Sequence, residues 1–198
     1  MPEKPIAVIT ARMGSGRLPG KVLLPLAGKT VLEHLIDRIR HARLFDTIVL
    51  ATSAAPANQP LADLAQRYDI HCHRGAEDDV LDRYVQILRE HEAANLCRFC
   101  ADNPLTDMET TARLVELHLA RHLDYTCVKG LQLQLGLVEV YSRAALEIEH
   151  QQTDPADNLR RESVGIFLRE HPDIAAINAL RDQKAGNLYW QQLDAKLP

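Results

Sequence analysis

The chain has 198 residues, of which 46% are hydrophobic and 25% charged, with a formal net charge of −4. That is ordinary globular composition, and it excludes disordered, collagen-like and coiled-coil architectures. An acidic balance argues against a general binder of nucleic acid or anionic membrane, so any anion-binding role must rest on a local basic cluster.

Apolar, strand-like runs alternate with amphipathic helical runs along most of the chain. No window reaches the roughly 18 apolar residues of a membrane span. After Met1-Pro2-Glu3-Lys4-Pro5 the apolar run is too short for a signal peptide, so a cytoplasmic protein is expected. The first strand is read at 6–10, short and β-branched as a buried parallel strand should be. A loop rich in glycine and basic residues follows it, from Thr10 to Lys21. Residues 30–43 form a helix with Thr30 and Glu33 as a capping box. A strand at 47–51, a weaker helix at 59–68 with Pro60 in its first turn, and a strand at 70–73 come next. The helix at 79–94 carries Val80, Leu81, Tyr84, Val85, Ile87 and Leu88, and the strand at 96–100 follows. Thr106 and Glu109 signal a second capping box opening a helix to Arg121. Strands at 124–128, 137–142 and 174–178 complete the count, with a helix from an Asp154 cap through Pro155 to Glu170. This order predicts an α/β fold whose mostly parallel sheet is covered on both faces. Ligands in such sheets bind beyond the carboxyl ends of the strands.

Four cysteines stand at 72, 97, 100 and 127. Cys97 and Cys100 are spaced C-x-x-C, but within a strand they point to opposite faces, so buried free thiols are expected rather than a zinc or redox site. His118 and His122 share an i,i+4 face without H-E-x-x-H and read as two histidines on the wet side of a helix.

The loop after the first strand carries the chemistry. Three glycines and Arg12, Arg17 and Lys21 fall within it, and backbone N–H groups beside fixed cations are phosphate-binding chemistry. It is neither a Walker loop, since Val22 follows Lys21, nor G-x-G-x-x-G, since Pro19 takes the third glycine's place.

Ala11-Arg12-Met13-Gly14-Ser15, followed by Arg17-Leu18-Pro19-Gly20-Lys21-Val22-Leu23, resembles the signature loop of the acylneuraminate-type cytidylyltransferases, in the spore-coat-polysaccharide-biosynthesis branch. Gly28-Lys29-Thr30-Val31-Leu32-Glu33-His34 and Arg74-Gly75-Ala76-Glu77-Asp78-Asp79-Val80-Leu81-Asp82-Arg83-Tyr84 are similar to further family segments in the same order. So are Ala101-Asp102-Asn103-Pro104-Leu105-Thr106-Asp107, Val138-Glu139-Val140-Tyr141-Ser142 and Arg160-Arg161-Glu162-Ser163-Val164. The resemblance implies one three-layer α/β/α, Rossmann-like nucleotidyltransferase domain over residues 1–198 with a mixed, mostly parallel sheet. It implies transfer of CMP from CTP to a small-molecule acceptor such as an acidic sugar, a Mg²⁺ cofactor and a homodimer; from the acidic charge, no nucleic-acid or membrane partner is expected. A nucleotide-binding or scaffolding protein that has lost catalysis is the alternative.

Residue by residue, the resemblance assigns Arg12, Arg17 and Lys21 to the triphosphate and Asp102 to the metal. It assigns Ala11, Gly14, Ser15 and Gly16 to the nucleotide through the loop backbone, and Arg74 and Asp82 to the nucleotide's border. Asp107 reads as a structural cap. Three features depart from the family. Gly136-Leu137 runs directly into Val138-Glu139, Ser163 replaces a histidine, and the late segment supplying a second metal carboxylate is not found in 181–194, so a shortened carboxyl terminus is expected.

Overall fold

The computed structural model describes residues 4–127 and 138–171. Its centre is a six-stranded sheet in the order β5–β4–β1–β6–β8–β7. Strand β1 is Ile6–Thr10, and its neighbours β4 (Ile48–Ser53) and β6 (Asn95–Cys100) both run parallel to it. Strand β5 (His71–Gly75) extends the parallel half beside β4. Strand β8 (Glu139–Ser142) is antiparallel to β6 and to β7 (Tyr125–Cys127). The sheet is therefore mixed and mostly parallel, as expected. A small hairpin pairs β2 (Pro25–Leu26) with β3 (Lys29–Thr30), turning through Ala27 and Gly28 at φ 46° and 86°. Two successive positive φ values are what a tight two-residue hairpin needs.

Helices cover both faces. On one side lie α1 (Val31–Ala42), α2 (Gln59–Arg67) and α4 (Met108–Ala120); on the other α3 (Val80–Glu90), α5 (Arg143–Gln152), α6 (Asn158–Glu162) and α7 (Ile166–Glu170). The period of two in β1 divides the core. Ala7 and Ile9 pack with Leu35, Ile36, Leu50, Leu64 and Phe99, while Ile6 and Val8 pack with Leu81, Val85, Leu88, Leu146 and Leu168. The Thr30–Glu33 capping box forms as read, each partner satisfying the other's amide.

Several expected elements are corrected. The cap of α4 is Asp107, whose carboxylate accepts from the Glu109 amide at 3.0 Å, while the Thr106 hydroxyl turns to the Asn103 carbonyl. The helix expected from Asp154 to Glu170 is broken. Asp154 closes a turn, Asp157 caps the short α6, and Gly165 at φ 85° separates it from α7. A side chain at Gly165 would meet the Tyr141 hydroxyl at 2.8 Å, so the break is fixed by tertiary packing. His118 is buried, its ring nitrogens 2.9 Å from Thr126 Oγ1 and 3.1 Å from Asn95 Oδ1; His122 lies past the helix end at φ 50° and is exposed. The two share no wet face, because Thr126 and Asn95 bury the first and α4 ends at Ala120 before the second. Cys97 is buried, but Cys72 is exposed and Cys100 and Cys127 are half-buried, which corrects the expectation of four buried thiols. The end of the expected 124–128 strand, the start of 137–142, the strand at 174–178 and the segment 181–194 lie outside the described residues.

Behind the sheet, Glu149 of α5 is fully buried. Its Oε1 accepts the Gly165 amide at 2.8 Å, and Oε2 has no partner among the described residues. Burial pushes this carboxyl up to about 7 from 4.5. The folded state therefore holds a proton that the unfolded chain has released, and the stability this contributes is lost as pH rises from 4.5 to about 7. Burial lowers His118 to about 4 from 6.5, and its contribution is lost as pH falls through that window. The two slopes oppose each other between pH 4.5 and 6.5. The difference between wild type and Glu149→Gln isolates the carboxyl. In urea unfolding it should grow with pH and favour the variant by roughly 1–3 kcal/mol above pH 7. A difference that does not change with pH would contradict the raised carboxyl.

Candidate active site

The chain passes from β1 to β4 and β5 on one side of the sheet, then crosses back through α3 to β6 on the other. The carboxyl ends of β1 and β6 are thus the point where strand order reverses, and the loops leaving them diverge to open a crevice. Thr10 pairs with Cys100, and the Ala101 amide donates to the Thr10 carbonyl at 3.1 Å. A cavity of about 400 Å³ lies there.

Its walls come from both strand ends and the opposite helices. Ala11, Arg12, Ser15, Gly16, Arg17 and Lys21 come from the loop after β1, and Asp102 from the loop after β6. Val80 and Arg83 come from the start of α3, Arg98 from within β6 and Glu162 from α6. Thr10, Arg98 and Cys100 share one pleat parity within β1 and β6, so their side chains share the α3 face of the sheet, and Arg12 and Asp102 follow in the loops beyond the strand ends.

The loop holds its own shape. The amides of Ser15 and Gly20 donate to the Met13 carbonyl at 3.0 and 2.9 Å, and Gly20 takes φ 68°. A Cβ at Gly14 or Gly16 would meet nothing, so both positions border open space. The loop is also tied down from outside. Asn58, 1% exposed, accepts the Met13 amide at 2.8 Å and donates to Ser53 Oγ at 2.6 Å, while the Ser53 hydroxyl donates to Glu77.

The loop cations differ in their partners. Lys21 pairs with Asp102 across the cavity, and Arg12 pairs with Glu162 at 2.6 Å. Arg17 is exposed and makes no side-chain pair among the described residues. These side chains are one-third to one-half exposed at the two pairs, so the pairs are weak and exchangeable. A site of this kind can take a polyanion on the loop and offer one carboxylate to a divalent cation.

The expected site residues divide into two groups. Arg12, Arg17, Lys21, Asp102, Ala11, Ser15 and Gly16 line one cavity. Gly14 stands in the same loop without lining it, and the Ser15 amide, expected to face a ligand, is committed to Met13. Arg74 does not reach the cavity; it donates to Gln59 at 2.7 Å and to the Ser53 and Ala54 carbonyls near the sheet edge. Asp82 does not reach it either, because it faces α5, where it lies 3.0 Å from His150 Nε2 and accepts from Gln86. Sequence reasoning missed Arg83, Arg98 and Glu162. Arg98 had a visible signal, a charge between Cys97 and Phe99 in a buried strand. Arg83 likewise interrupts the apolar run of α3.

Known proteins place the chain among relatives. A model of the family described as cytidylyltransferase matches residues 6–192. The spore coat polysaccharide biosynthesis protein SpsF of Bacillus subtilis is 31% identical over 177 residues, covering 87% of this chain and 73% of that protein. An uncharacterized protein of Methanocaldococcus jannaschii is 33% identical over 171 residues, covering 86% and 69%. A cytidylyltransferase structure from Leptospira borgpetersenii superposes with a TM-score of 0.78 at 23% identity, over 85% of this chain and 72% of that one. The CMP:2-keto-3-deoxy-manno-octonic acid synthetase complexed with CTP gives 0.66 at 20%, over 86% and 87%. At these identities the two superpositions show the shared fold.

The tether at Asn58 gives a direct test. Asn58→Ala leaves the Met13 amide and the Ser53–Glu77 pair without their buried partner, which should cost about 1–3 kcal/mol. Hydrogen exchange should quicken at the Met13 amide well beyond the change at the β1 amides. Unchanged exchange at Met13 would show that the loop is held in some other way.

Proposed function

The chain belongs to the cytidylyltransferase family, and from that premise we propose that it moves CMP from CTP to a small-molecule acceptor such as an acidic sugar, releasing pyrophosphate. One observation carries this reading: the basic glycine loop and Asp102 face each other across one cavity at the sheet's reversal point.

In the proposed reaction an acceptor hydroxyl oxygen forms a bond to the α-phosphorus. The bond from that phosphorus to the bridging oxygen breaks, and its electron pair leaves on pyrophosphate; the hydroxyl proton passes to solvent. Such transfer draws its rate from alignment and charge neutralisation. Arg12, Arg17 and Lys21 stand at the rim, where they would hold the outer phosphates and steady the departing pyrophosphate. Taking up that charge means that Lys21 gives up Asp102 and Arg12 gives up Glu162.

The donor set suits Mg²⁺. Asp102 is a partly exposed carboxylate at a strand end, and Mg²⁺ is commonly held by one or two carboxylates with phosphate oxygens and water. The described residues contain no group of three or more side chains able to hold a metal, so the phosphates would complete the coordination. When bound, Mg²⁺ would supply charge neutralisation on the phosphates, with Asp102 as its protein ligand.

Two outcomes follow. CTP with Mg²⁺ should raise the melting temperature, a gain of about 2.7 kcal/mol at a hundredfold excess over the dissociation constant. Arg17→Ala should remove most of that shift and leave the free protein's melting temperature unchanged, because Arg17 has no partner to lose among the described residues. A variant that responds to CTP like wild type would exclude a phosphate role for Arg17. In calorimetry, Asp102→Asn should abolish the Mg²⁺-dependent gain in CTP affinity while CTP alone still binds. Retention of that gain would exclude Asp102 as the ligand.

A further inference from the structure

We propose that Arg83 is a catalytic residue of this site, its guanidinium holding the non-bridging oxygens of the nucleotide's α-phosphate. This rests on the cytidylyl-transfer reading and adds to it a residue that neither the loop nor the strand end supplies.

Arg83 is 2% exposed, yet its side chain makes no hydrogen bond or ion pair among the described residues. Its Nε is buried without a partner, and the side chain lines the cavity. A buried cation left unpaired is costly, whereas one that meets an anion in the working complex is not. The carboxylates around it have other duties. Asp79 caps α3 through the Asp82 amide at 2.8 Å and faces Arg161 at 3.4 Å, and Glu77 accepts from Ser53. Burial pulls the Arg83 guanidinium down from its ordinary value; Tyr84, Glu77 and Asp79 act against that fall through space, and the positive charge of Arg12 adds to it. Two cations converging on one open volume call for an anion between them.

The backbone is built to let Arg83 in. A Cβ at Gly75 would stand 2.5 Å from Arg83 Cγ and 3.1 Å from Cδ. The arginine stem therefore passes over bare glycine backbone at the end of β5. This gives a physical reason for finding Gly75 and Arg83 in one segment eight residues apart.

Depth in the cavity selects the phosphate. Arg12, Arg17 and Lys21 are at the rim, where pyrophosphate must depart. The phosphoryl group that stays behind is the inner one, and Arg83 is the buried cation that waits there. A buried guanidinium fork can span two phosphate oxygens, and its field counts most where charge shifts in the transition state. As the acceptor oxygen bonds to the α-phosphorus and the electron pair of the breaking bond leaves on pyrophosphate, Arg83 would steady the equatorial oxygens.

The test is a ladder of cytidine, CMP and CTP, titrated by calorimetry into wild type and Arg83→Met. Methionine keeps an unbranched stem over Gly75 and removes the buried charge, so the free variant should melt at or above the wild-type temperature. Cytidine affinity should be unchanged, and CMP and CTP should both weaken by about 10- to 100-fold, the scale of a charge-assisted pair of hydrogen bonds. Arg83→Lys keeps the charge without the fork and should show a smaller loss; it carries the test if the methionine variant does not fold. A loss seen with CTP and not with CMP would assign Arg83 to the outer phosphates and overturn the proposal. So would variants that bind the whole ladder like wild type, whether they melt lower or require more acceptor. A wild-type protein that binds neither CMP nor CTP would remove the cytidylyl reading itself, a result distinct from any change confined to Arg83.

Discussion

The parallel pairing of β1 with β6 sets Thr10 beside Cys100 and sends both following loops out of the sheet together. The meeting of the basic loop with Asp102 depends on that register. A slip of one residue would turn Arg98 and Cys100 to the α1 face and bring Phe99 to the α3 face. The cost of such a slip is the core itself, because Phe99 packs against Phe45 at a ring separation of 5.6 Å and Leu96 lies among the α3 and α5 side chains. Apolar packing, which has no chemical role in the site, therefore fixes where the charges stand.

Two kinds of cation meet in the cavity, and they are held in different ways. At the rim, Lys21 and Arg12 sit in partly exposed ion pairs with Asp102 and Glu162. Such pairs contribute little to stability and can exchange one partner for another at small cost. In the wall, Arg98 is tied to Glu139, which also accepts the Tyr125 hydroxyl at 2.7 Å, and Arg169 donates to that hydroxyl at 2.8 Å. This chain of contacts runs from β6 through β8 and β7 to α7 and keeps Arg98 rigid. Arg83 has neither kind of partner among the described residues. The rim pairs are thus open to exchange, whereas Arg98 is held by a chain of contacts that reaches α7.

Local signals read well at some places and not at others: the Thr106–Glu109 box, three residues apart, gave way to Asp107 as the cap of α4. The Thr30–Glu33 box depends on residues three apart, and the buried β1 on a short apolar run, and both formed as read. The break at Gly165 was not legible, because the Tyr141 hydroxyl that forbids a side chain there comes from a strand distant in sequence. His118 looked wet on a helical repeat, yet Asn95 and Thr126 from neighbouring strands bury it.

By itself the sequence determined the alternation of strands and helices, the basic glycine loop after the first strand and the aspartate after β6. Each is carried by residue types and short spacings, and periodicity is a property of the chain alone. Which charges face one another was decided by the tertiary structure. Arg74 and Asp82 stand in the same segment as Arg83, but the edge of the sheet takes the first and His150 the second, leaving the third in the cavity. Helical rotation and the strand order separate residues that are adjacent along the chain, and they bring Lys21 to Asp102 from 81 residues away.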